Sequence, residues 1–298
     1  MTESDKGQKI KVRGTEHYYQ WVRQPNRLSP KPVMVFIHGW SGSGRYWQST
    51  AEALSDYFDC LLYDMRGFGR SRLPEDVQLN YELEEYAHDL AFLLDALGLE
   101  KVYLNSHSMG ASVATLFLNL YSERVERSIL TCNGIFEYDE KAFSAFHKFG
   151  GYVVKFRYRW FLKVPFADKL FMARFLCRPI PRSYSWAFLE DFLLADYDAA
   201  VGTIYTSVSK KAVEVMPQEF AKLQVPTLLI AGEKDQIIPA EMGKKASALS
   251  ENIEYSEIKN TAHFPMLEDE EVYLQRVRKF LQLEMKDSQK FEETKVVF

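Results

Sequence analysis

The chain has 298 residues, enough for one large α/β domain or two small ones. Its 47% hydrophobic and 26% charged residues are the balance of a globular protein with ample core, which excludes a disordered or fibrous chain. A net charge of −4 singles out no partner, and three scattered cysteines (Cys60, Cys132, Cys177) without CxxC spacing exclude a disulfide framework and a zinc ribbon.

No stretch holds the roughly 18 uncharged apolar residues of a membrane span. The N-terminal MTESDKGQKIKVRG lacks the apolar core of a signal peptide. A cytoplasmic location with reduced thiols is the expectation, with association at a membrane surface left open. No metal or cofactor is expected, and oligomeric state is not legible.

Residues 8 to 24 alternate weakly and are rich in Val, Tyr and Trp, which predicts an antiparallel edge pair. Val33 to Ile37 is a continuous apolar run, as in a parallel strand buried on both faces. It ends in His38-Gly39-Trp40-Ser41-Gly42-Ser43-Gly44, a loop of residues that tolerate unusual dihedrals. A helix from Tyr46 to Tyr57 and a second buried strand, Cys60 to Tyr63, follow, and that strand stops at Asp64-Met65-Arg66-Gly67-Phe68-Gly69-Arg70-Ser71. Apolar residues at steps of three and four predict a helix over Tyr81 to Leu97, with Gly98 as its stop.

Lys101 to Phe117 reads as a short strand (Val102, Tyr103, Leu104), a sharp turn and an apolar helix running to about Tyr121. Ser108 stands at the apex of Ser106-His107-Ser108-Met109-Gly110. A serine there holds its hydroxyl clear of the sheet, and the helix points its free N–H groups at the same spot. Small residues are needed where strand and helix pass closely, and Ser106, Gly110, Ala111 and Ala114 qualify. The pattern is a nucleophile elbow in which G-x-S-x-G has become S-x-S-x-G.

A strand over Arg127 to Cys132 follows, and the alternation of strands and helices predicts an open parallel sheet covered on both faces. The rhythm breaks between about Phe136 and Met216. From Glu140 to Arg182 that segment has ten Lys or Arg against two acids, a local charge of +8 that leaves −12 elsewhere, and it is crowded with aromatics. It is expected to be a helical insertion, residues 136–216, covering the carboxyl edge of a core formed by 1–135 and 217–298. The rhythm resumes with a strand at Val225 to Ala231, a turn through Asp235 to Pro239, a helix (Ala240 to Leu249), a strand (Ile253 to Ile258), the loop Asn260 to Pro265 and a last helix (Glu270 to about Leu283). The charged tail after Met285 is expected to be loose.

A serine hydroxyl needs a base to take its proton, and the base needs an acid to fix its tautomer. Of six histidines, His17 and His88 fall in an edge strand and on a helix and are expected to pack or face solvent. His107 neighbours Ser108 but points away from it, His147 lies in the insertion and is expected to be solvated, and His38 is placed to brace the glycine loop. His263, in a loop at the sheet edge that also carries Ser108, is the candidate base. Asp235, after a strand at the same edge, is the candidate acid, with Glu137 or Asp139 as the fallback; its alternative is a plain turn aspartate ahead of Pro239.

On these five motifs (His38-Gly39-Trp40, Asp64 to Ser71, Ser106 to Gly110, Gly232 to Pro239, and Ala262 to Pro265) the chain resembles the α/β-hydrolase superfamily, in the branch with a cap inserted between two sheet strands. The resemblance covers about 32–134 and 225–283 and does not extend to the insertion. It implies a Ser108–His263–Asp235 triad, with backbone N–H groups of Trp40 and Met109 holding the oxyanion. It also implies a serine esterase rather than a dehalogenase or epoxide hydrolase, which carry aspartate at the elbow. The aromatic, basic insertion suggests a lipophilic ester such as an acyl-lipid, with peripheral contact to an anionic membrane; no nucleic-acid motif supports that partner. Hydrolysis of C–C bonds, cofactor-free perhydrolysis and a ligand-sensing receptor with negligible turnover share the same residues.

Overall fold

The hairpin expected at the start is present: β1 (Gln8–Val12) and β2 (Thr15–Val22) pair antiparallel. Arg13 and Gly14 turn the chain with φ of 47° and 84°, the pair of positive values a type I′ connection requires. The apolar runs become β3 (Val33–Ile37), β4 (Asp59–Tyr63), β5 (Val102–His107), β6 (Val125–Thr131), β7 (Thr227–Gly232) and β8 (Ile253–Ile258). These six are mutually parallel, and β2 joins β4 antiparallel, giving the order β1-β2-β4-β3-β5-β6-β7-β8. The computed structural model describes residues 7–25, 29–74, 79–137 and 139–283; the expected loose tail after Met285 lies outside them.

Helices connect the strands in chain order. A 3₁₀ turn (Gly44–Trp47) runs into α1 (Gln48–Leu54), where one longer helix is expected from sequence; α2 (Leu83–Ala96) and α3 (Met109–Leu120) follow. Between β6 and β7 come α4 (Glu140–Lys155), a 3₁₀ turn (Arg159–Lys163), α5 (Ala167–Met172), α6 (Arg182–Leu194), α7 (Tyr197–Ser207) and α8 (Lys210–Ala221), with no strand among the described residues. The boundary expected between 216 and 217 falls inside α8, whose Met216 and Phe220 are both buried in the main core. The chain closes with α9 (Ala240–Ser247), α10 (Pro265–Glu268) and α11 (Glu270–Leu281). No helix among the described residues is long and apolar enough to cross a membrane.

Period-two alternation sorts β3 between two cores. Val35 and Ile37 pack with α2 and α3 on one face, whereas Met34 and Phe36 pack with α1 and α11 on the other. All four are fully buried, each contributing on the order of 2 kcal/mol. β5 runs three residues past its apolar start, and its polar end draws partners from the folded interior. Tyr273 donates to Asn105 Oδ1 (2.9 Å) and Ser106 Oγ donates to the Ile129 carbonyl (2.9 Å).

The topology places the site. From β3 the chain steps to β4 on one side and then returns to β5 on the other. The winding therefore reverses between β3 and β5, and in open α/β sheets ligands bind beyond the carboxyl ends of strands at such a reversal. Ile37 pairs with Ser106 and His107 with Thr131, so the loops after β3, β5 and β6 leave the sheet at one level.

Candidate active site

Ser108 has φ 54° and ψ −124°, a conformation L-residues rarely adopt and one that costs on the order of 1–3 kcal/mol. The turn is tight because α3 starts against the end of β3. A Cβ added at Gly110 would stand 2.2 Å from the His38 carbonyl oxygen, so only glycine fits there. Gly39 is less tightly held on the other side, where an added Cβ would lie 3.1 Å from Ser108 Cβ. The Gly39–Trp40 peptide is thus pressed against the elbow. Met109 opens α3, so its N–H has no partner within the helix. Ser106, where glycine is usual, spends its hydroxyl on β6 and leaves the elbow undisturbed.

His263 and Asp235 meet Ser108 in one line. His263 Nε2 lies 3.1 Å from Ser108 Oγ, and its Nδ1 lies 2.7 Å from Asp235 Oδ2. The other oxygen, Asp235 Oδ1, accepts the N–H groups of Ile237 (2.8 Å) and Ile238 (3.1 Å). The residue is therefore a turn aspartate and a partner of the imidazole at once. Asp235 and His263 are both buried, while Ser108 keeps partial exposure. Glu137 points to solvent and pairs with Lys245 (2.7 Å), and Asp139 is exposed.

A second layer, absent from the sequence reading, fixes this line. Gly39 donates its N–H to Tyr46 Oη (2.5 Å), and Tyr46 donates to His107 Nδ1 (3.0 Å). His107 Nε2–H in turn donates to the His263 carbonyl (2.7 Å). Burial, reinforced by the nearby His263 ring, holds His107 well below the usual imidazole range, so it stays neutral in this tautomer. Burial likewise keeps the Tyr46 phenol protonated. Glu268 Oε1 accepts from Ala262 N–H (2.9 Å) and Phe264 N–H (3.2 Å), and its Oε2 accepts from Cys177 N–H (2.7 Å) and Arg178 N–H (2.9 Å). His263 N–H itself donates to the Phe175 carbonyl (2.9 Å). The only hint of these roles in the sequence is a tyrosine just after the glycine loop and a glutamate five residues past His263.

The remaining predicted positions fall elsewhere. His38 donates from Nδ1 to the Gly39 carbonyl (2.8 Å) and accepts from Met65 N–H at Nε2 (2.8 Å), bracing the loop as expected. His17 is buried in β2, and His88 Nδ1 meets Tyr121 Oη at 2.7 Å. His147 is a correction: it is half-buried, with Nε2 on the Val208 carbonyl and its ring against Tyr205, because α4 packs on α7. His107, Cys132 and His263 bring three donor atoms within 4.8 Å of one another, but both His107 nitrogens are already hydrogen-bonded, which suits a metal poorly. All three cysteines are free thiols. A cavity of about 580 Å³ between α4 and α7 is lined by Phe143, His147 and Tyr205 and by none of Ser108, Asp235 or His263.

Aromatics of the 136–216 segment roof the site. Phe175 lies 6.1 Å from the His263 ring, Phe188 5.1 Å from Phe264, and Phe171 4.7 Å from Phe192, which packs on Trp40 at 5.9 Å. A charged tie anchors this roof to the glycine loop: Asp191 of α6 accepts from Ser43 Oγ (2.6 Å) and from the Arg45 guanidinium, which also reaches Glu190 (2.7 Å).

Burial pushes the Asp191 carboxyl up to about 6 from its ordinary 3.8, with Arg45 pulling the other way. The native state thus holds this proton more tightly than the unfolded chain. The group's contribution to stability is complete below about pH 4 and lost as pH rises through about 6. In denaturant melts across that window, the stability of wild type relative to Asp191→Asn should fall by up to about 3 kcal/mol. A difference independent of pH would refute this.

A parallel sheet wound in both directions, with a strained serine between strand and helix at its reversal, defines the α/β-hydrolase class of fold. The chain belongs to the α/β-hydrolase family, whose model, described as the alpha/beta hydrolase fold, matches residues 32–270. The carboxylesterase YbfK of Bacillus subtilis is 27% identical over 257 residues, covering 84% of this chain and 80% of its own. Epoxide hydrolase 1 of Caenorhabditis elegans is 32% identical over 103 residues, which are 35% of this chain and 25% of that one. The solved structure of the esterase EaEST from Exiguobacterium antarcticum superposes with a TM-score of 0.77 at 19% identity, over 93% of this chain and all of that one (100%).

Proposed function

We propose that the protein is a serine hydrolase of carboxylic esters, acting on a lipophilic acyl substrate through an acyl-serine intermediate, with 136–216 as a cap over the site. The observation that carries this reading is the Ser108–His263–Asp235 line, 3.1 and 2.7 Å at its two links. Its carboxylesterase relative YbfK supports the ester class. His263 Nε2 takes the hydroxyl proton as Ser108 Oγ attacks the carbonyl carbon. The resulting oxyanion is received by the N–H groups of Met109 and Trp40, each such donor being worth on the order of 3 kcal/mol. The imidazolium returns the proton to the departing alcohol. Water, deprotonated by the same ring, then releases the acid and restores Ser108. Asp235 keeps the ring's Nδ1 protonated throughout, and the aromatic roof supplies an apolar wall for an acyl chain.

A p-nitrophenyl ester series of increasing acyl length, followed past many turnovers, tests the reading. Steady turnover that favours medium or long chains over acetate is expected. A single acylation burst would instead favour a ligand-sensing receptor, and inertness toward every ester together with cleavage of a vinylogous diketone would assign C–C hydrolysis.

A further inference from the structure

A surface helix normally shows solvent a polar face, whereas α4 shows a mixed one, with apolar rings standing beside exposed Lys141, Ser144, Lys148 and Lys155. Phe143, Gly150 and Val154 face inward, and an added Cβ at Gly150 would meet Ile204 of α7 at 3.1 Å. The opposite stripe carries Phe149 and Tyr152 and runs on to Phe156 just past the helix, all more than half exposed, with the exposed Lys148 and Lys155 beside them. The stripe continues into the next turn, where Phe156 approaches Tyr158 (6.3 Å) and Trp160 stacks on Phe161 at 4.4 Å. It ends on α5, with Phe166 63% and Leu170 81% exposed and Lys169 above the Phe166 ring. Of the thirteen large apolar side chains exposed among the described residues, eight fall between 149 and 170, too concentrated for the scatter a water-facing surface normally shows.

The charge on this face has one sign. Lys148, Lys155, Arg159, Lys163 and Lys169 are exposed, and among the described residues none has an acidic partner. The only acid between 141 and 181, Asp168, is turned inward to Ser185 Oγ (2.9 Å) and Arg182. Rings and aliphatic groups that enter the acyl boundary, fringed by unpaired cations, match an anionic bilayer surface. Trp and Tyr are the residues that settle at that depth. Leu170 cannot stack on a base, which disfavours single-stranded nucleic acid, where successive rings serve as stacking platforms.

We propose that the outer face of α4, the 159–163 turn and α5 is a docking surface for anionic phospholipid bilayers. It extends the ester-hydrolase reading by a partner, and it places the lipid one helix away from Ser108: α5 shows Phe166 and Leu170 outward, while Phe171 and Phe175 just beyond belong to the roof over His263.

Flotation of the full chain with vesicles of phosphatidylcholine, alone or mixed with phosphatidylglycerol, tests it. The protein should rise with the mixed vesicles at low salt and far less at high salt. Each of Lys155→Gln, Arg159→Gln and Lys163→Gln should lower partitioning about fivefold. Trp160→Ser combined with Leu170→Ser should lower it for both vesicle types, with turnover of a water-soluble short-chain ester unchanged. Ser108→Ala protein should float like wild type, so loss of turnover and loss of docking are read separately. Wild type left at the bottom at low salt overturns the proposal. So do variants that float undiminished, a dimer in light scattering that the patch variants dissolve without any vesicle binding, or capture of single-stranded DNA in place of vesicles.

Discussion

Ser108→Ala should lower kcat on model esters by a factor on the order of 10³ to 10⁶, leaving only what oxyanion donors and substrate binding supply unaided. The change removes one oxygen from a partly exposed position. Its hydrogen bond to His263 is the only one that oxygen makes with a side chain among the described residues, so urea melts should shift by no more than about 1 kcal/mol. The elbow backbone keeps its φ of 54° with alanine as with serine, because both carry a Cβ. A variant retaining activity near that of wild type, with the fold verified, would remove Ser108 from the chemistry. Stoichiometric labelling by a fluorophosphonate, lost in the variant, provides an independent check.

Asp235→Asn should cost a factor of about 10³ to 10⁴ in kcat, through a proton rather than through shape. Oδ1 would continue to accept the Ile237 and Ile238 N–H groups, so the amide nitrogen would occupy the place of Oδ2, 2.7 Å from His263 Nδ1. An amide donates there, which forces the imidazole to carry its hydrogen on Nε2, where Ser108 needs a lone pair. KM should change little, because neither oxygen reaches substrate space. A kcat within tenfold of wild type would show that the buried carboxylate does not set the tautomer.

What could be read from the residues, and what could not, follows the range of the interactions. Val33 to Ile37 and Thr227 to Ala231 are legible as strands because burial on both faces leaves a continuous apolar signature. Ser108, Asp235 and His263 are legible because each follows a strand and sits among turn residues. The polar end of β5 and the start of β6 at Val125 are not, because Asn105 and Ser106 find partners only after the sheet and α11 have assembled. Tyr46, His107 and Glu268 escape notice for the same reason. Tyr46 reaches His107 across 61 residues, and Glu268 reaches Cys177 across 91, with no local periodicity to announce either. His147 is misjudged because the packing of α4 on α7 depends on an interior glycine, Gly150, which pattern reading treats as a weak helix position.

One carboxylate grips both banks of the seam between the roof and the histidine loop. With two N–H groups from each side on Glu268, and the Phe175 carbonyl holding His263 N–H, the base and the roof are fastened to each other. Displacing 175–178 would therefore take the Phe175 carbonyl from His263 N–H together with the Cys177 and Arg178 N–H groups from Glu268, so the backbone of that stretch and the place of the imidazole are coupled.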